Sequence, residues 1–320
     1  MKVFIAGASG VLGRRLIGQL TARGHSVIGQ VRSSKAETAV RAAGGDPRHA
    51  DLFDAESLAK AAEGCDTVIH AATAIPTKRK PAPADWAMNN HIRRKGTRCL
   101  TEAAAKIGAK TYLQQSVAWV ARPSDDSAFD EDSAAVPDPS IQSAIDAEAI
   151  AREAGSADGY TVAILRGGYF YDSESAHTRM IADGLRKRQM PIIGTGDTLW
   201  AMIHTDDAAS AFVAAAEQPK NGVWHVVDNE LVRADIFLGE FATRLGARPP
   251  RRVPVWLAKW LAGEQAVAFF TRSTQTTSAR LRRDFAWTPR YPTYREGLDQ
   301  IVAAWNAESS SNAATKADGK

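Results

Sequence analysis

Gly7, Gly10 and Gly13 stand three apart directly behind the apolar run Val3–Ala6, in the opening stretch MKVFIAGASGVLGRRLIGQL. That spacing suits a strand-to-helix turn built to bring backbone close to an anion. Gly7 permits the tight turn, Gly10 lets a ligand approach, and Gly13 lets the helix pack against the sheet. The free N–H groups and positive dipole end of that helix would then face a diphosphate, with Ser9, Val11 and Leu12 completing the loop. A second stretch, GQVRSSKA, follows the next apolar run. Arg32, Ser33 and Lys35 stand there where an NAD-binding unit carries a ribose-binding carboxylate. A cation and a hydroxyl at that place predict NADP(H) as the cofactor, with NAD(H) as the alternative.

These residues need a particular frame. The spacing of Leu12, Leu16, Ile17 and Leu20 predicts a helix from Val11 to about Arg23 behind a buried strand, Val3–Ala6. Strands follow at 26–31, 67–70, 111–115, 161–166 and 223–227. Helices alternate with them at about 55–62 and 86–106, and Asp51 and Leu52 are expected to end a short strand. This rhythm predicts an α/β protein with a Rossmann-type, doubly wound parallel sheet and a smaller, interleaved C-terminal substrate lobe. Residues 1–168 with about 201–229 would form the dinucleotide-binding domain. About 169–200 and 230–306 would form the lobe, and the polar tail 307–320 is expected to be disordered. Trp256 and Trp260, four apart, would share a helix face, either packed in the core or serving as a lid or a patch for a partner chain.

At this point the chain resembles the extended, atypical branch of the short-chain dehydrogenase/reductase superfamily, the NAD-dependent epimerase/dehydratase-like group. The stretches that carry the likeness run nearly the whole length: GASGVLG, VIHAAT, KGTRCLTEAA, YLQQSVAWV, ILRGGYFYD, IHTDDAASAF and WTPRYPTYREGL. The resemblance implies that Asp51 and Leu52 flank the adenine. It puts Ala71, Ala72 and Thr73 along the cofactor ribose and Ser116 beside the nicotinamide. It also implies a Tyr-x-x-x-Lys pair. In this chain Ser140 and Ala144 hold those two places, and neither serves acid–base work near neutral pH. Arg93 replaces the expected asparagine. Trp200 stands where nucleotide-sugar enzymes carry a phosphate-binding arginine, which points to a smaller, apolar or aromatic substrate.

The proton must then come from elsewhere. Tyr169, just past the strand ending at Arg166, is the candidate acid, with ordered water as the alternative and Ser116 orienting a carbonyl. Arg93, Tyr169 and Trp200 are the candidate substrate contacts. His204 and His70 are expected to be structural. Ser116 does not sit in a G-x-S-x-G elbow, which argues against a serine hydrolase. The expected activity is an NAD(P)-dependent oxidoreductase acting on a small carbonyl, alcohol or activated alkene. The alternatives are a cofactor-retaining epimerase or dehydratase and a non-catalytic NADP(H) sensor. A net charge of +4, spread along 320 residues, argues against a nucleic-acid surface. Two distant cysteines show no metal-ligand spacing, so no metal is expected. The N-terminal apolar run is too short for a secretory signal, and no stretch reaches the length of a membrane span. A cytoplasmic protein is expected, with a homodimer implied by the resemblance.

Overall fold

The computed structural model describes residues 1–78 and 81–318. Seven parallel strands form one sheet: β1 (Lys2–Ala6), β2 (Ser26–Val31), β3 (Asp46–His49), β4 (Thr67–His70), β5 (Thr111–Val117), β6 (Thr161–Gly167) and, much later, β11 (Gly222–Val226). Their order is β11-β6-β5-β4-β1-β2-β3. The chain thus starts in the middle, winds to one edge and returns to build the other. That is the doubly wound arrangement predicted from the alternation of apolar runs.

The pleat sends alternate residues to opposite faces, and both faces are buried. Val3, Ile5, Ile69, Leu113 and Leu165 pack under α1 (Val11–Ala22) and α8 (Thr205–Glu217). Phe4, Val68, Tyr112, Val162 and Ile164 pack on the other side, under α3 (Ala55–Ala61), α5 (Thr97–Lys106) and α6 (Gln142–Asp158). α2 (Ser34–Ala42) joins β2 to β3. The predicted helix over 86–106 is interrupted. A short α4 (Ala87–His91) passes into one π turn, Ile92–Gly96, before α5 begins. Asp51 and Leu52 lie past the end of β3 rather than on it.

The remaining segments form a third apolar cluster beyond the strand ends. It holds Tyr171 of β7 (Tyr169–Tyr171), α7 (Ala176–Arg186), Ile192 of β8 (Ile192–Ile193), Trp200 of β9 (Leu199–Trp200) and Met202 of β10 (Met202–His204). It also takes in β12 (Val232–Arg233), α9 (Ala234–Arg244) and the first turns of α13 (Tyr294–Asp318). The predicted interleaving is visible here, since β11 belongs to the main sheet while segments on both sides of it join this cluster. β13 (Arg252–Val253) pairs with β8 and leads into α10 (Val255–Ala262) and α11 (Glu264–Thr271); α12 (Ala279–Phe285) returns to the main core.

Two expectations change. Trp256 and Trp260 on α10 are 71% and 76% exposed, so they are not core residues. The tail expected to be disordered continues α13 as helix to Asp318, while Gly319 and Lys320 lie outside the described residues. Among the described residues, no helix is long and apolar enough to cross a membrane.

Candidate active site

The glycine turn has the geometry its spacing predicts. Gly7 has φ of 83°, in the left-handed region that favours glycine. A Cβ there would lie 2.6 Å from the Ala72 backbone, and one on Gly13 would lie 2.3 Å from the Gly7 carbonyl oxygen. Gly7 and the Ala71–Ala72 segment, 65 residues apart in sequence, are therefore pressed together at the carboxyl ends of β1 and β4. Gly10 caps α1 without a side chain, and the first turn has no acidic residue. Arg14 donates to the Ser9 carbonyl at 2.7 Å and ion-pairs with Glu174; Arg15 pairs with Asp206. Among the described residues, the first amides of α1 thus have no side-chain acceptor, which fits an anion such as a diphosphate.

At the end of β2, Ser33 accepts the Ala36 N–H at 3.3 Å and so caps α2. Its hydroxyl proton can still serve a ligand. Arg32 is exposed beside it and makes no ion pair among the described residues. Asp51 is exposed and accepts the Phe53 N–H at 3.0 Å, while Leu52 is buried beneath Gly96. Ala71 is buried; Ala72 is half-buried and Thr73 exposed.

Ser116 has its hydroxyl engaged within the protein. Register sets Ser116, Arg166 and His225 side by side on β5, β6 and β11. Ser116 Oγ donates to Glu148 of α6 at 2.6 Å. Arg166 donates to the same carboxylate twice, at 2.8 and 2.7 Å, and Arg152 adds a fourth bond at 2.9 Å. Burial pushes the Glu148 carboxyl up, but the Arg166 and Ser116 bonds outweigh it and hold the group below its ordinary range. The Ser116 proton is therefore already engaged, and pointing it at a substrate carbonyl requires giving up a charge-assisted bond. The sequence reading had missed Glu148's role as this anchor, although Arg166 lay in plain view within ILRGG.

Ser140 and Ala144, the residues expected at the Tyr-x-x-x-Lys places, lie apart in environment. Ser140 is exposed and donates to Asp138 at 2.6 Å, and Ala144 is buried. Arg93, on the π turn, reaches Ser143 Oγ at 3.5 Å, beside Ala144, and Ser143 donates to Asn90 at 2.8 Å. Burial lowers the Arg93 guanidinium to about 10, against the charge of Glu148, so it stays cationic at neutral pH. His70, at the end of β4, is lowered to about 4 by burial and is neutral. His204 caps α8, accepting the Asp206 N–H at 3.2 Å, and is fully buried, as expected of a structural residue.

An aromatic row closes the site on the lobe side. The ring of Trp119, on the turn after β5, stacks on Tyr169 at 4.9 Å. Tyr169 meets Trp200 at 5.8 Å, and Trp200 meets Phe237 at 5.9 Å. Trp200 is buried and donates its indole N–H to the Phe270 carbonyl at 3.2 Å. Burial raises the Tyr169 phenol, with the charge of Arg122 the largest opposing cause. Arg122 is the other residue the sequence reading missed. It follows Trp119 in the turn that ends β5.

The family model described as the NAD dependent epimerase/dehydratase family matches residues 3–227. The chain belongs to that family. A 3-diazoavenalumate denitrifying reductase of a Streptomyces species is 34% identical over 93% of this chain and 99% of its own length. A 4-hydroxy-2-methyl-3-oxo-4-farnesyl-3,4-dihydroquinoline-1-oxide ketoreductase of Stigmatella aurantiaca is 25% identical over 95% of this chain and 96% of its own. Among solved structures, the UDP-glucose 4-epimerase of Thermotoga maritima superposes with a TM-score of 0.80 at 16% identity, covering 96% and 99% of the two chains. A human epimerase family protein crystallised with NADPH gives 0.79 at 20%, covering 95% and 99%. These two solved structures share the fold with this family member.

Proposed function

We propose that this chain is an NADP(H)-dependent oxidoreductase acting on a small, non-nucleotide carbonyl, alcohol or activated alkene. The observation that carries this reading is that the glycine turn after β1 and the Trp119–Tyr169–Trp200 row after β5 and β6 lie at the same carboxyl edge of the parallel sheet. The indole at Trp200, where a phosphate-binding guanidinium would be needed, disfavours a nucleotide sugar. The printed names of the Streptomyces and Stigmatella relatives, both reductases, support the same reaction class.

A bound nicotinamide supplies or accepts the hydride. The chain's own residues do the rest. The first amides of α1 hold the diphosphate, with Ser9, Val11 and Leu12 around it. Arg32 and Ser33 receive the 2′-phosphate, Asp51 and Leu52 flank the adenine, and Ala71–Thr73 line the ribose. Arg93 supplies a positive charge beside Ala144. Ser116, through Glu148 and Arg166, locks the ends of β5 and β6 under the reacting ring. Tyr169, held protonated by burial, donates the proton.

The test is NADPH oxidation by the purified protein with a panel of aldehydes, ketones and activated alkenes. Tyr169→Phe is expected to lower kcat by about 10²- to 10⁴-fold, with NADPH affinity unchanged. Full turnover in that variant would remove Tyr169 from the proton step. NADPH binding with no turnover on any member of the panel would favour the sensor reading.

A further inference from the structure

Arg122 is 8% exposed, yet no carboxylate lies within ion-pair distance of it among the described residues. Its Nη1 donates to the Arg272 carbonyl oxygen at 3.4 Å, and the guanidinium also donates a hydrogen bond to the neutral Tyr169 phenol. The charged groups around it are Arg272, which repels it, and the carboxylates of Asp126 and Asp138, which attract it from beyond ion-pair distance; the Tyr169 phenol completes the surroundings. Asp126 is itself drawn toward Arg272, at 3.6 Å. A buried guanidinium without an anion is expensive, and proteins keep one where a ligand supplies the missing charge. The three-residue spacing from Trp119 to Arg122 brings that charge beside the Trp119–Tyr169 stack, whose residues are both partly buried. An aromatic wall and a planar cation with no carboxylate in ion-pair distance among the described residues therefore meet at one place.

We propose that the site takes a planar aromatic acid, with its ring laid along the Trp119–Tyr169 row and its carboxylate paired with Arg122. The inference rests on the proposed function in one respect: it assumes that this row lines the substrate pocket. A guanidinium binds a carboxylate through two parallel N–H bonds, which fixes orientation as well as supplying affinity. A carboxylate there also keeps the adjacent Tyr169 phenol in its protonated, donating form. The alternative role for Arg122 is structural. Arg272 donates to the Pro123 carbonyl at 2.7 Å while Arg122 donates to the Arg272 carbonyl, so the pair could simply fasten two loops.

Calorimetry and tryptophan fluorescence with cinnamate, methyl cinnamate and the aliphatic acid 3-cyclohexylpropanoate separate these roles. Cinnamate is expected to bind at least about tenfold more tightly than its ester and than the aliphatic acid. Arg122→Gln should bring cinnamate down to the ester's level, and Arg122→Lys should restore only part of the difference. Equal binding of acid and ester, a preference that survives in Arg122→Gln, or no cinnamate binding up to about 10 mM would each overturn the proposal. If Arg122→Gln fails to fold, the acid–ester comparison on the unaltered protein and on Arg122→Lys still decides. NADPH binding is measured in parallel. Its loss would defeat the proposed function, whereas loss of the acid preference with NADPH binding intact defeats only this inference.

Discussion

Glu148 carries the densest set of bonds among the residues of the site. Four donors, from Ser116, Arg152 and Arg166, converge on one buried carboxylate. Glu148→Gln would leave Arg166 as a buried cation with a neutral partner, and we expect a loss of about 3–5 kcal/mol in urea unfolding. The same centre sets the response to pH. Glu148 titrates below its ordinary value when folded, so its stabilisation is present above about pH 4.5 and is lost as pH falls through the folded pKa. His225 and His70 are lowered by burial to about 3 and about 4. Below their ordinary 6.5 the unfolded chain takes up protons that the folded one refuses, so they too make stability fall with pH. The urea midpoint should drop steadily from pH 7 to pH 4.5, and His225→Gln should flatten that slope. Asp228 and Asp207, pushed up by burial, act in the opposite sense, so the deciding result is the comparison: an unchanged slope in His225→Gln would contradict the placement of His225.

At the scale of elements, the β1–α1 unit and α10 make opposite demands on their side chains. In the first, the backbone itself is the wall. A methyl group at Gly13 would sit 2.3 Å from the Gly7 carbonyl, and nothing nearby is a flexible side chain that could yield. Gly13→Ala must therefore push α1 off the strand end, and calorimetry should find nucleotide binding weakened by more than about tenfold. On α10 the two indoles have mostly water for neighbours. Trp256→Ser with Trp260→Ser should change unfolding free energy by no more than about 0.5 kcal/mol, because exposed positions lose little on truncation. A larger loss would mean that these indoles are covered by something else in solution.

Taken whole, the molecule joins its sheet to its lobe through charge at the foot of the glycine turn. Arg15 of α1 pairs with Asp206 of α8 and approaches Asp172 at 3.5 Å, just past β7. A ligand held by the first turn of α1 would consolidate the same joint, and a species that binds only the folded state raises the melting temperature by mass action. NADPH at about a hundred times its Kd should stabilise the protein by about 2.7 kcal/mol. NADH at equal concentration should give a smaller rise, since it offers Arg32 no 2′-phosphate. Equal shifts would remove Arg32 from cofactor selection.

The sequence by itself determined the sheet, the glycine turn and membership of the family. These are written in local pattern: apolar periodicity places strands and helices, and a backbone that cannot tolerate a Cβ announces itself as glycine. Strand bounds at 26–31 and 67–70 were legible for that reason. The partners of the site residues were not. Ser116 meets Glu148 across 32 positions, and Arg122 comes to lie beside Tyr169 from another strand end. The exposure of Trp256 and Trp260 was equally hidden, since an indole reads as core until its neighbours are known. Only the tertiary structure decided these points. A side chain's proton, charge and solvent access depend on what folding brings within a few ångströms, and residue type and spacing do not specify that.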